Sequence, residues 1–363
     1  GWTQLVLLPD EPGNAASRLT AEGVPVVQYR LGRLRASRSP GAHLRLLRNL
    51  RRDVKMLRGV IRSSRVDLVV IGGLANPQAA VAAYLEDVPV VWQLLDSRIP
   101  RVPTALLMLL VRSLATVVMT TGEAIADSHP GSRKTGRRLV TFHPPVDTEL
   151  FAPGSDRKAQ ARKTLRMPED ALVVGTIANL NAMKGHERFI DAASSLATHR
   201  PGVKFLILGA SYPDRPGYAG LLLARARAGG LVPGRDLLIV DPGARVVDLA
   251  AAMDIFWLSS ESRSEGIPTV IGEAMALGIP VVARAVGAVP EVLNDGCGIL
   301  VESDIPAALA DATLPLIDDP ALRADLGTLA RSYALNHYAT ERSAAAHLRA
   351  FHLALRQGSA NPA

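Results

Sequence analysis

Short apolar runs alternate with longer helical patterns along nearly all of the 363 residues, a rhythm suited to α/β domains built on parallel sheets. A parallel strand is covered on both faces, so it reads as an unbroken apolar run. In the first half the spacing predicts strands at 4–8, 24–29, 66–71, 88–93, 116–120 and 138–142. Helices are expected between them at 15–22, 40–63, 77–86, 103–114 and 122–128. A proline-marked junction, HPPVDTELFAPG at 143–154, leads into a basic connector at 157–166. The second series predicts strands at 171–178, 204–208, 236–240, 255–258, 281–283 and 298–301. Its helices fall near 185–198, 217–229, 246–253, 268–277 and 290–294. Two more helices and a final amphipathic one at 340–356 precede a tail at 357–363.

The expected organisation is therefore two Rossmann-like, doubly wound domains, 1–152 and 153–339. Residues 340–363 supply a helix that crosses back to the first domain, and a tail. Ligands in this class bind outside the carboxyl ends of the strands, which places a cleft between the two domains.

Charge is unevenly distributed. The first 150 residues hold 20 Lys/Arg against 12 Asp/Glu, and the remainder is close to neutral. The focus is the helix from His43 to Arg65. Leu47, Leu50, Val54, Leu57 and Ile61 share one face, and Arg45, Arg48, Arg51, Arg52, Lys55, Arg58 and Arg62 occupy the rest. A solvated outer face and attraction to an anionic membrane surface or phosphorylated acceptor are both open readings. Nucleic acid is not expected as a partner, because no aromatic platform accompanies the arginines. A single cysteine, Cys297, excludes an internal disulfide and fits a reducing compartment. The longest apolar run, 105–111, is too short to span a bilayer. The expected location is cytoplasmic, peripheral at the inner face of the membrane.

The richest chemistry lies in SEGIPTVIGEAMALGIPVVA, 264–283. Glu265 and Glu273 stand eight residues apart around a helix start, with Gly266 and Pro268 between them. The glycine permits close approach of backbone to a ligand, and Pro268 suits a first helical turn. Helix-start N–H groups can face an anion, while carboxylates beside them accept hydrogen bonds from polyol hydroxyls.

This segment resembles the E-x7-E signature of retaining, GT-B-fold glycosyltransferases of family 4 (glycosyl transferases group 1). The run EG-x-P before the second glutamate and EAMA-x-G-x-PVVA after it carry the resemblance, and VDTELF at the junction resembles the family's interdomain segment. The resemblance implies that Glu273 holds ribose hydroxyls of a nucleoside-diphosphate sugar and that Glu265 holds sugar hydroxyls. It assigns the diphosphate to the backbone of Gly266, Ile267, Pro268 and Thr269, through the N–H groups that run supplies, and to Lys184. Lys184 lies in VGTIANLNAMKGH, where a strand gives way to a helix. Asn179 and Gly243 complete the expected donor side, Gly243 through a turn at the nucleobase. Asp96 is the candidate for orienting an acceptor hydroxyl.

Three departures from the family pattern stand out. Asn179 and Asn181 occupy the region where an arginine usually partners the lysine, and Leu95 stands where a histidine is often presented. No glycine pair followed by a helix occurs near the start. The expectation is a chain lacking the first strand–helix unit, or else a divergent first domain; the former would leave an interior strand edge unpaired. Neither a metal nor a bound cofactor is expected, since no metal-ligand cluster or Asp-x-Asp pair is legible.

The resulting expectation is a retaining transferase that moves a sugar from a nucleotide sugar to a hydroxyl acceptor, whether glycan, lipid-linked or small molecule. Cell-envelope, glycan or glycolipid synthesis is its expected setting. Two alternatives stay open: a catalytically impaired descendant that binds nucleotide sugar or docks to membranes, and a nucleotide-sugar epimerase.

Overall fold

Each of the twelve predicted apolar runs overlaps a strand, and the wholly buried ones, such as 173–177, 255–258 and 281–283, are apolar because both faces of their sheet are covered. The computed structural model describes residues 1–11, 14–32, 40–97, 99–211, 217–262, 266–293 and 295–358, with side chains of 40–48 left aside. The first series runs β1 (Val6–Pro9), α1 (Ala16–Ala21), β2 (Val26–Tyr29), α2 (Pro40–Ser63), β3 (Val69–Gly72), α3 (Pro77–Tyr84) and β4 (Val90–Leu94). It continues with α4 (Arg101–Leu114), β5 (Val117–Thr120), α5 (Glu123–Ser128) and β6 (Leu139–Thr141).

The second series begins α6 (Ser155–Thr164), β7 (Val173–Ile177), α7 (His186–His199), β8 (Lys204–Leu208), α8 (Tyr218–Ala228) and β9 (Leu237–Val240). Then come α9 (Val246–Ala250), β10 (Ile255–Leu258), α10 (Thr269–Ala276), β11 (Val281–Arg284), α11 (Val289–Leu293) and β12 (Ile299–Val301). The helices α12 (Ala307–Asp318), α13 (Pro320–His337) and α14 (Thr340–Gly358) end it. The chain divides into two compact units, one of Gly1–Gln93, Ile99–Val118 and Phe351–Ala363, the other of Leu94–Arg98 with Met119–Ala350.

The second unit carries a six-stranded sheet in the order β12-β11-β10-β7-β8-β9. Its strand pairs are parallel, with β10 joined to β7 through Ile255 against Val174 and Phe256 against Gly175. Chain order reverses between β7 and β10, and that switch point is where α/β sheets of this type take ligands. Phe189, Phe205 and Trp257 fill the core beneath, with ring centroids 5.4–6.4 Å apart. The Trp257 indole N–H donates to Thr313 Oγ1 at 2.7 Å, which satisfies a buried donor. Gly175 lies under Met253: a Cβ there would stand 2.5 Å from Met253 Sδ, so a larger residue would have to displace that side chain.

The six strands of the first series do not form one ladder. Among the described residues β1 pairs with β2 alone, in parallel, while β3-β4-β5-β6 form a separate four-stranded sheet. A cavity of about 220 Å³ lies where β1 and β3 edges come near, lined by Leu5, Leu7, Leu57, Ile61, Val70 and Ile71 among others. None of the predicted donor or acceptor residues lines it.

One local expectation needs correction, and one gains a detail. Most of the basic connector at 157–166 is in fact part of helix α6, Ser155–Thr164, held by ion pairs instead of an apolar stripe. Arg162 is buried and bonds Asp254 at 2.7 Å, and Asp254 also accepts the Val173 N–H at 2.7 Å and pairs with Lys158. On α2, Leu57 and Ile61 face inward as the periodicity predicts, and so does Asp53, which is 1% exposed. Its carboxylate accepts the Gly32 N–H at 2.8 Å and pairs with Arg52 at 3.1 Å, so a buried charge is compensated.

Candidate functional site

Two loops meet at the carboxyl ends of β7 and β10. After β7, the Asn181 side chain accepts the Met183 N–H at 3.1 Å and caps a single 3-10 turn, Ala182–Lys184. Gly185 then adopts φ +67° and starts α7. A Cβ on Gly185 would stand 1.9 Å from Ser259 O, so only glycine lets the turn lie this close to the end of β10. The contact is stitched by Glu261 N–H donating to Met183 O at 3.0 Å and Ser259 Oγ donating to Lys184 O at 3.4 Å. Lys184 is half-buried at this junction.

The 259–262 turn leads toward α10. Glu265 lies outside the described residues, as do Arg263 and Ser264. From Gly266 the backbone is again defined, and it is held tightly. A Cβ on Gly266 would be 2.4 Å from Leu95 O, and the same carbonyl accepts Thr121 Oγ1 at 3.2 Å. On the other side Ala288 N–H donates to Gly266 O at 3.3 Å. Ile267 and Pro268 are buried, and Thr269 is exposed.

Pro268 precedes α10 as its N-cap, with φ −71° and ψ 123°, instead of occupying the first helical turn as the sequence led us to expect. The ring's fixed φ is compatible with extended backbone as well as helix, and the helix starts one residue later. The Ile271 N–H bonds Pro268 O at 3.2 Å, so Thr269 and Val270 are the first-turn N–H groups that precede intrahelical bonding.

Glu273 occupies the second turn of α10, half-buried. Burial pushes its carboxyl above the ordinary value. The helix is seated by small residues: a Cβ on Gly272 would meet the Tyr338 ring at 2.8 Å and Val146 Cγ2 at 3.0 Å. With Ala274, Met275 and Ala276 also fully buried, the run GEAMA records close packing as well as chemistry.

The remaining predicted residues divide by position. Asn179 is exposed just beyond β7, and its carbonyl meets His186 Nε2 at 3.1 Å. His186 is fully buried and burial holds it below the ordinary histidine range, with Lys184 adding to the effect. Gly243 is exposed beyond the edge strand β9, with φ +52° and its N–H on Asp241 Oδ1 at 3.0 Å. β8 stands between β9 and β7, so Gly243 is two strands from the switch point. Asp96 follows Leu95 and is half-buried; its charge acts on the buried imidazole of His129, counteracting part of the downward push from burial. The structure thus brings Lys184 to the Ser259–Glu261 turn, and Leu95 with its neighbour Asp96 to Gly266.

Residues that sequence reasoning missed hold this arrangement. Glu291 accepts Glu123 N–H at 2.8 Å and Ala124 N–H at 2.9 Å, capping α5 from 168 positions away. Gly122, at φ +88°, has no room for a Cβ against that carboxylate. Arg284 is 4% exposed, donates to Ser260 O at 2.6 Å, and pairs with Asp304 and, at 3.7 Å, with Glu261. The only local signal was an arginine closing the apolar run PVVAR, and it said nothing about its partners. Among the described residues no group of three His, Cys, Asp or Glu could hold a metal ion.

The fold is shared with solved structures. Anabaena Alr3699/HepE in complex with UDP superposes with a TM-score of 0.77 at 19% identity, covering 95% of this chain and 98% of that one. A glycosyltransferase from Rickettsia africae gives 0.77 at 16% identity, covering 99% and 98%. At these identities the likeness speaks for fold: the parallel-sheet, two-Rossmann α/β architecture termed GT-B. Residues 157–333, just under half the chain, match the family model Glycosyl transferases group 1. A D-inositol 3-phosphate glycosyltransferase of Corynebacterium urealyticum is 28% identical over 63% of this chain and 54% of its own length. The Corynebacterium aurimucosum protein of that name is 32% identical over 62% and 54%. The chain spans about half the length of these curated relatives.

Proposed function

We propose that this chain is a retaining glycosyltransferase of family 4, moving a sugar from a nucleoside-diphosphate sugar to a hydroxyl acceptor. The observation that carries the reading is the meeting of the 181–185 turn with the 259–261 turn at the β7/β10 switch point. The group 1 match over 157–333 covers both loops and α10. The Anabaena neighbour was solved with UDP and with UDP-glucose, which supports a nucleotide-sugar donor here.

In this reading Glu273 accepts ribose hydroxyls and Glu265 accepts hydroxyls of the transferred sugar. Lys184 and the N–H groups at Gly266, Ile267 and Thr269 face the diphosphate. As the glycosidic bond breaks, negative charge builds on the departing diphosphate, and fixed dipoles with one ammonium stabilise that charge more than the ground state. The acceptor hydroxyl attacks from the same face, its proton passing to a phosphate oxygen. Asp96 orients that hydroxyl. Neither glutamate serves as a covalent nucleophile, in contrast to the paired carboxylates of retaining glycosidases.

One observation favours a second reading, binding without efficient turnover. Asn179 is neutral at the position where a second cation would assist the leaving group. Incubating the chain with a panel of nucleotide sugars and following transfer by NMR separates the two. Product with the donor's anomeric configuration supports the proposal. Inverted product removes the retaining mechanism, and saturable binding with no turnover supports the second reading.

A further inference from the structure

We infer that α4 is a membrane-docking element that lays an exposed aliphatic ridge into the interface of an anionic lipid bilayer. Its inward face is Thr104, Met108 and Val111, all buried. At 100° per residue the opposite face is Val102, Leu106 and Leu109, and these are 75%, 66% and 58% exposed. Three large aliphatic side chains at i, i+4 and i+7 form one continuous ridge that folding leaves in water. The core is already filled on the other side, so the ridge is not a packing surplus. Contiguous exposed apolar surface of this kind marks a place of contact.

Charge selects the partner. No acidic residue occurs between Ser97 and Gly122, while Arg101 and Arg112 bracket the ridge. The unit that carries α4 holds 16 Lys/Arg against 7 Asp/Glu, so the chain's whole positive excess belongs to it. Helix α4 contacts α3, and α3 contacts α2, where Arg51 and Lys55 are exposed. A second copy of the same unit would bring like charges together. A surface of anionic headgroups over hydrocarbon satisfies both the arginines and the leucines. No helix among the described residues is long and apolar enough to cross a membrane, so the contact is interfacial.

The inference stands independently of the transferase reading, and flotation with lipid vesicles tests it. The chain is expected to float with phosphatidylcholine vesicles containing about a third phosphatidylglycerol, and not with phosphatidylcholine alone. The double variant L106S/L109S is expected to lower the bound fraction about tenfold, with thermal unfolding unchanged because both residues are exposed. A second variant, L106W, is expected to show a blue-shifted difference spectrum against the parent chain when anionic vesicles are added. Failure of the parent chain to float, equal flotation by the double variant, or an unshifted L106W spectrum would overturn the inference. So would a self-association that the double variant abolishes, since the ridge would then face a second copy.

Discussion

Gly185 and Ser259 approach so closely that a Cβ on the glycine would stand 1.9 Å from the serine carbonyl oxygen. This contact fixes the loop after β7 against the end of β10, and it is the structural reason the Lys184–Gly185 pair belongs with the Ser259–Glu261 turn. Gly185→Ala must displace backbone, and it also places a side chain at φ +67°. The expected cost is about 3 kcal/mol of stability by urea unfolding. A change within about 0.5 kcal/mol, the range of ordinary surface substitutions, would mean the two loops are not tied together this way.

Glu291 supplies a comparable long-range tie. Glu291→Ala leaves the Glu123 and Ala124 N–H groups without their carboxylate. A loss of about 1 kcal/mol is expected in denaturant unfolding, as for removal of an N-cap, with Glu291→Gln intermediate. Equal stability of Ala and Gln variants with the parent chain would count against the cap.

Stability should depend on pH through Glu273. Its carboxyl is raised by burial, so the native state favours the protonated form more than the unfolded chain does. The native state therefore loses stability as pH rises from the ordinary carboxylate value through the raised one. Glu273→Gln removes that loss, and its stability profile should be flatter across the window. Parallel profiles for variant and parent would contradict the burial of this carboxylate.

His186 has the opposite sense. Its folded value is depressed, so its contribution is present above the ordinary histidine value of 6.5 and is lost as pH falls below it. His186→Gln should lessen the decline of stability below that pH. A decline unchanged in slope would assign it to other groups, His129 among them, which burial also depresses.

What the sequence made legible was whatever is written locally. Val173 to Ile177 is wholly buried, and a strand covered on both faces has to be apolar throughout. The start of α7 was legible because Gly185 interrupts the chain before an amphipathic run. Features settled at long range left no such trace. Helix α6 escaped because its buried Arg162 is made tolerable by Asp254, 92 positions on. Asp53 lies inside α2 because Gly32 donates to it, which no periodicity reveals. The separation of β1 and β2 from β3 was equally invisible, since both edges carry ordinary apolar runs. At the site, the close approach of Gly266 to Leu95 and the Glu291 cap were of this long-range kind.

If the carboxyl ends of β7 and β10 grip a nucleoside diphosphate through Lys184 and α10, as proposed, calorimetric titration with a panel of nucleoside diphosphates will show it. At least one is expected to saturate the chain, with Lys184→Ala weakening it about tenfold, near 1.4 kcal/mol, and Glu273→Ala weakening it at least as much. Unchanged affinity in both variants, or no binding by any member of the panel, would contradict it.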